Sequence, residues 1–136
     1  MSKVAVVYWS GTGNTEAMAN AIVEGAKGAG CEVDLYVAAD FDAGKASDYS
    51  AIAFGCPSMG TEQLEDMEFE PMWDGVKDSL NGKKIFLFGS YGWGDGEWMR
   101  TWEANAPCSI TETYICNEAP GPDEEDALKA IGAKMA

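Results

Sequence analysis

Within six residues, Ser10-Gly11-Thr12-Gly13-Asn14-Thr15 gathers three hydroxyls, one amide and two glycines. Backbone N–H groups at the start of a helix, joined by side-chain donors, form a site for an anion, and the obvious anion is a phosphate. A P-loop needs a lysine after its last glycine, and the dinucleotide fingerprint needs a third glycine at fixed spacing. This loop has neither. Its donors are neutral, which suits a terminal phosphate monoester that is held and not transferred. Two more glycine loops follow, Cys56-Pro57-Ser58-Met59-Gly60-Thr61-Glu62 and Ser90-Tyr91-Gly92-Trp93-Gly94-Asp95-Gly96. Glycine lets backbone come close to a flat ligand, and an exposed tryptophan offers it a face. Trp93, set between two glycines, fits that role, whereas Trp98 and Trp102 fit a helix core. A planar, apolar ring system bearing a phosphate suits all three loops.

Other chemistries are poorly supplied. There is no histidine, which removes the usual general base and most zinc and haem sites. Cys31, Cys56, Cys108 and Cys116 include no Cys-x-x-Cys pair, so no metal site is expected, and free, mostly buried thiols fit a reducing compartment. Nine Lys and Arg against 23 Asp and Glu give a formal net charge of -14. That excludes nucleic acid and anionic membranes as partners and favours proteins with basic faces. No apolar run is long enough to span a membrane and no signal peptide opens the chain, so the expectation is a soluble, cytoplasmic protein. A chain of 136 residues fits one domain, 1–136, with a real core.

The elements that position these loops follow from the hydrophobic pattern. Val4–Tyr8, Ala51–Gly55 and Ile85–Gly89 are apolar without alternation, as strands buried on both faces are. Glu32–Val37 alternates at Val33, Leu35 and Val37, as an edge strand does. A fifth strand lies in Pro107–Cys116, clearest at Thr113–Cys116. Between them the sequence predicts a helix with Met18, Ile22 and Ala26 on one stripe, closing at Gly28-Ala29-Gly30. Ala38–Ser50 reads as a loop with a short helical piece. A second helix starts at Pro71, buries Met72, Trp73, Val76 and Leu80, and stops at Asn81-Gly82. Glu97–Asn105 is a third, and Gly121-Pro122-Asp123 opens a last one with Ala127, Leu128, Ile131 and Met135 inside. Alternating β and α imply a parallel sheet with helices on both faces, a three-layer αβα α/β fold. Ligands in such sheets sit beyond the carboxyl ends of the strands, where all three loops should open.

The stretches Y-W-S-G-T-G-N-T at 8–15, G-C-P-S-M-G at 55–60 and F-G-S-Y-G-W-G-D-G at 88–96 resemble the short-chain flavodoxins, particularly the clostridial type. The resemblance spans almost the whole chain. It implies a five-stranded doubly wound sheet of order 2-1-3-4-5 with flavin mononucleotide (FMN) at the switch between the first and third strands. It further implies that Ser10, Gly11, Thr12, Gly13, Asn14 and Thr15 hold the phosphate and that Ser90 and Asn117 touch the ribityl chain. Met59 and Trp93 sandwich the ring, with Ser58, Tyr91, Gly92 and Gly94 completing the loops around it. Glu62 accepts from the flavin N3–H, and the Gly60–Thr61 peptide turns over on reduction. No residue is catalytic. The cofactor carries the electron and the protein sets its potential.

The implied function is a low-potential one-electron carrier working on the semiquinone/hydroquinone couple, with non-covalent FMN. It is expected to be a monomer that shuttles electrons between larger redox enzymes. With no Lys or Arg in the three loops and a net charge of -14, adding negative charge to the flavin is unfavourable, so the second reduction step lies low. The acidic run Glu62, Glu65, Asp66, Glu68 and Glu70 would dock basic partners. The rival reading is an FMN-dependent quinone/NAD(P)H oxidoreductase of the same fold, which needs a substrate pocket over the ring where Trp93 and Met59 leave little room. Two departures from the family pattern stand out. Thr61 occupies a place where the family usually has Asp, Asn, Gly or Ser, and a β-branched residue resists the positive φ of a type II turn. The stretch from Arg100 to Asn117 is short, so Ala106-Pro107 must turn directly toward the fifth strand.

Overall fold

The computed structural model describes residues 3–11, 13–59, 63–92 and 94–136. Five parallel strands form one sheet in the order β2-β1-β3-β4-β5. They are β1 (Lys3–Tyr8), β2 (Glu32–Val37), β3 (Ala51–Gly55), β4 (Lys84–Tyr91) and β5 (Glu112–Asn117). Helices α1 (Asn14–Gly28), α2 (Ala43–Ala46), α3 (Phe69–Val76), α4 (Glu97–Asn105) and α5 (Pro122–Lys134) connect or follow them. Among the described residues no helix is long and apolar enough to cross a membrane.

The unbroken apolar strands feed two cores at once, because successive side chains point to opposite faces. Val4, Val6, Ala51, Ala53, Phe86 and Phe88 meet Met18, Ile22, Leu128 and Ile131 of α1 and α5 on one face. Ala5, Val7, Ile52, Phe54, Ile85 and Leu87 meet Phe69, Met72, Trp73, Val76, Trp98 and Trp102 of α3 and α4 on the other. This second core is aromatic. Trp102 stands edge-on to both Phe69 and Trp73, at centroid distances of 5.3 and 5.5 Å, the geometry that ring quadrupoles favour.

Strand β2 is an edge strand, as its alternation suggests. Its Leu35 and Val37 remain 43% and 45% exposed, while the intervening Tyr36 packs inward and its hydroxyl lies 2.6 Å from that of Tyr49. Tyr49 in turn donates to Asp34 at 2.6 Å, and burial first, then these neighbours, raises the Tyr49 pKa.

Three boundaries differ from the sequence pattern. Helix α3 begins at Phe69, so Pro71 is its third residue and not its first. The buried Glu65 carboxylate takes the N–H groups of Met67, Glu68 and Phe69, and so starts the helix earlier. The helix also ends at Val76. Leu80 lies beyond a short 3-10 turn, Lys77–Ser79, yet is buried in the same core. The last strand starts only at Glu112. Residues 106–111 cross from the end of α4 to the sheet edge, where the Thr111 N–H donates to the Ile85 carbonyl at 2.7 Å. The short path from Arg100 to Asn117 is thus taken by a direct turn after Asn105, where Ala106 is already extended.

Candidate functional site

The strand register aligns the carboxyl ends. Tyr8 pairs with Val37 on one side and Gly55 on the other, Gly55 pairs with Phe88, and Tyr91 pairs with Asn117. The chain leaves β1 where the strand order reverses, and such a switch point opens a crevice. The loops after β1, β3 and β4 all reach it.

The first loop is shaped by Gly13, the N-cap of α1, at φ 92°, a left-handed conformation natural to glycine. Gly13 has no side chain to cap this helix, and N–H groups at such a helix start can serve as donors to an anion. The Gly13 N–H donates to Ser10 Oγ at 3.0 Å, which folds the loop on itself. Thr15 is buried, and its Oγ1 accepts the Ser90 N–H at 3.4 Å, joining the start of α1 to the end of β4. Gly11 lies against Trp9, and a Cβ there would meet the indole at 3.0 Å. Trp9 Nε1 donates to Glu68 at 3.0 Å.

A cavity of about 340 Å³ opens between the loops, lined by Trp9, Gly11, Asn14, Pro57, Ser58, Met59, Ser90, Tyr91, Gly92 and Glu118. Its volume is ordinary for a ligand site. A second cavity, of about 430 Å³, lies across Trp9 and is lined by Ser10, Gly11 and Gly13 with Tyr8, Glu16, Val37, Ala38, Ala39 and Glu68. Neither lining contains a Lys or Arg. Glu16 accepts from the Tyr8 hydroxyl at 2.9 Å, and burial, then this carboxylate, pushes the Tyr8 pKa up.

The loop after β3 continues beside β4. The Cys56 and Ser58 N–H groups donate to the carbonyls of Phe88 and Ser90. Met59 and Gln63 then exchange two backbone hydrogen bonds of 2.9 Å, an antiparallel bridge that closes the neck of the loop. Cys56 is fully buried, and burial pushes its thiol up to about 12.

Of the residues named from the sequence, Gly11, Asn14, Ser58, Met59, Ser90, Tyr91 and Gly92 come together around the first cavity, and Ser10 and Gly13 sit across Trp9. Thr12, Gly60, Thr61, Glu62 and Trp93 lie outside the described residues. Gly94 turns at φ 88° and lines neither cavity. Ser90 is buried, and its hydroxyl donates to the Glu118 carbonyl at 2.7 Å. Asn117 Nδ2 donates to the Tyr91 carbonyl at 3.2 Å, and it is the next residue, Glu118, that lines the cavity. The acidic run is also divided. Asp66, Glu68 and Glu70 are exposed, whereas Glu65 is turned inward as a helix cap and is no part of an outward docking face. Trp98 and Trp102 are core residues, as expected.

Sequence reading overlooked Trp9, Pro57, Glu65 and Glu118. Trp9 and Pro57 sit inside the motifs, and their signal was there to be taken. Glu65 reads as one more acid of the 62–70 run, because the side chains that commonly cap a helix are those of Ser, Thr, Asp and Asn. Nothing in the sequence marks Glu118, whose φ of 58° is rare for a residue other than glycine.

The comparisons agree with this geometry. The flavodoxin family model matches residues 6–106. The chain is 43% identical to a flavodoxin of Megasphaera elsdenii over 98% of both chains. It is 41% identical to a flavodoxin of Clostridium beijerinckii over 96% of this chain and 97% of that one. The solution structure of two-electron reduced Megasphaera elsdenii flavodoxin superposes with a TM-score of 0.86, covering 96% of this chain and 98% of that chain. A parallel sheet of order 2-1-3-4-5, a helix start at its switch point with glycine as N-cap and a cavity without cations fit a phosphorylated flavin, so the chain belongs to the flavodoxin family and is an FMN-binding protein of electron transfer.

Proposed function

We propose that residues 1–136 act as one cytoplasmic, monomeric carrier that holds FMN without a covalent bond and works at low potential. The observation that carries this reading is the cavity bounded by the loops after β1, β3 and β4, whose described lining is neutral except for Glu118. FMN, when bound, supplies the redox chemistry, taking up and releasing one electron at a time.

The chain's own residues do the rest. The α1 N-terminus with Ser10, Gly11, Gly13, Asn14 and Thr15 binds the phosphate through neutral donors and so leaves its charge in place. Thr12 is assigned to the same cradle. Ser90 and Asn117 support the ribityl side, the former through a hydroxyl already held by the Glu118 carbonyl. Ser58, Met59, Tyr91, Gly92 and Gly94 flank the ring and exclude water, with Gly60, Thr61, Glu62 and Trp93 completing the enclosure. With no cation in these linings and a net charge of -14, each added electron meets repulsion that low-dielectric walls strengthen. Asp66, Glu68 and Glu70 face outward beside the loop after β3 and dock basic faces of larger redox enzymes.

Absorbance tests the reading. The purified protein should be yellow, or should become so when FMN is added to the colourless form. A colourless protein that FMN cannot reconstitute would sink it.

A further inference from the structure

Glu65 stands at the foot of the loop after β3. It is 5% exposed, and its carboxylate accepts three backbone N–H groups: Met67 at 2.9 Å, and Glu68 and Phe69 at 2.8 Å. Its own N–H donates to Cys56 Sγ at 3.3 Å, and its carbonyl accepts the Glu70 N–H at 2.9 Å. Cys56 ends β3's path into the same loop, and its carbonyl is held by Trp98 Nε1 at 3.1 Å. The Trp98 ring lies 5.8 Å from that of Tyr91, a wall of the cavity. The segment from Cys56 to Glu65 is therefore pinned at both ends, and the Met59–Gln63 bridge draws its neck together in between.

We infer that Glu65 is a positioning residue for FMN: its carboxylate caps α3 and so fixes the main-chain N–H that holds Cys56 Sγ, and with it the loop that carries Met59, without touching the cofactor. A buried carboxylate satisfied by three charge-assisted bonds holds backbone more firmly than a neutral cap does. It also resolves a conflict in the sequence. A loop that must fit a ring closely is followed at once by a helix whose first N–H groups need acceptors. One side chain supplies them, and the same residue's main-chain N–H holds Cys56 at the other end of the loop. The inference rests on the FMN reading proposed above.

The test compares Glu65→Ala and Glu65→Gln with Asp42→Ala, which removes the cap of α2, where Asp42 Oδ1 accepts the Lys45 N–H at 2.9 Å. Two quantities are read: hydrogen exchange at the Met59 and Gln63 amides in protein as purified, and the FMN dissociation constant by fluorescence titration. Glu65→Ala is expected to speed exchange at both amides and to weaken FMN, each about tenfold, the size of a lost cap. Glu65→Gln should fall between Ala and wild type. It keeps one acceptor oxygen for Glu68 and Phe69 but turns an NH₂ on the Met67 N–H, and it decides the matter if Glu65→Ala does not fold. Asp42→Ala should change neither quantity. If Glu65→Ala matches Asp42→Ala, or Glu65→Gln matches wild type, the inference is overturned. Should wild type hold no FMN, the reading above fails instead, while exchange still reports on the loop.

Discussion

Glu118 is the charged side chain in the described lining of the first cavity, and its backbone is bent to put it there. Its φ of 58° costs on the order of 1 kcal/mol for a residue with a Cβ. Three bonds hold the bend, the Ser90 hydroxyl and the Cys116 thiol on its carbonyl and its own N–H on the Tyr91 carbonyl at 2.9 Å. A carboxylate at this place opposes the arrival of a further electron. Glu118→Gln should therefore raise the potential of the second reduction step. At a separation of several ångströms in a partly wet site the rise is about 20–40 mV. Glu62→Gln should act in the same direction. A redox titration showing an unchanged or lower value in both variants would remove carboxylate repulsion from the account. Ser90 illustrates a different outcome at this scale. Its hydroxyl is already engaged with main chain, where it helps to fix Glu118 in the cavity wall.

The elements that matter most are the turn into α1 and the turn into α3, which meet their first N–H groups in opposite ways. Helix α1 starts at Gly13, which has no side chain to offer them, and α3 gives them to Glu65. Burial by itself would raise the Glu65 carboxyl, but the three N–H groups outweigh it and hold the group below the ordinary carboxylate range. A folded-state value below the unfolded one means stabilisation that is complete above the unfolded pKa, near 4.3, and is lost as pH falls through the folded value. Urea denaturation should accordingly show Glu65→Ala less stable than wild type at pH 7 by about 1–2 kcal/mol. The gap should narrow as the solution is acidified below about pH 4. A gap that stays constant with pH would show that the carboxylate charge is not what holds the turn.

For the molecule as a whole, the net charge of -14 has two consequences. At short range it opposes added negative charge, and at long range it would steer in a partner with a basic face. Only the second is strongly screened by salt, since the Debye length is about 10 Å at 0.1 M. Electron transfer from a basic reductase should slow as salt is added, while the measured potentials move far less. A rate indifferent to salt would place docking on apolar contacts. The exposed Met67 beside Asp66 and Glu68 would then be the first residue to substitute.

Most of this fold could be read from residue order. Strand type, the edge position of β2, the alternation of β and α and the aromatic face of α4 are matters of local pattern, set by which side chains can be buried at period 2 or 3.6. The turn at Gly13 into α1 was legible for the same reason, because it needs only a glycine and a helix start. What depends on distance through space was not legible. Glu65 reads as one acid among five until the fold closes over it, because burial is decided by Cys56 and α3 together. Glu118 enters the cavity wall only through the register of β4 with β5, which sets Tyr91 opposite Asn117. The helix boundary at Phe69 moved because a side chain four residues upstream supplied the acceptors that a proline at the first position makes partly unnecessary. Local pattern settles which segments form, and the partners that packing brings within hydrogen-bonding distance settle where those segments start and which acids serve the site.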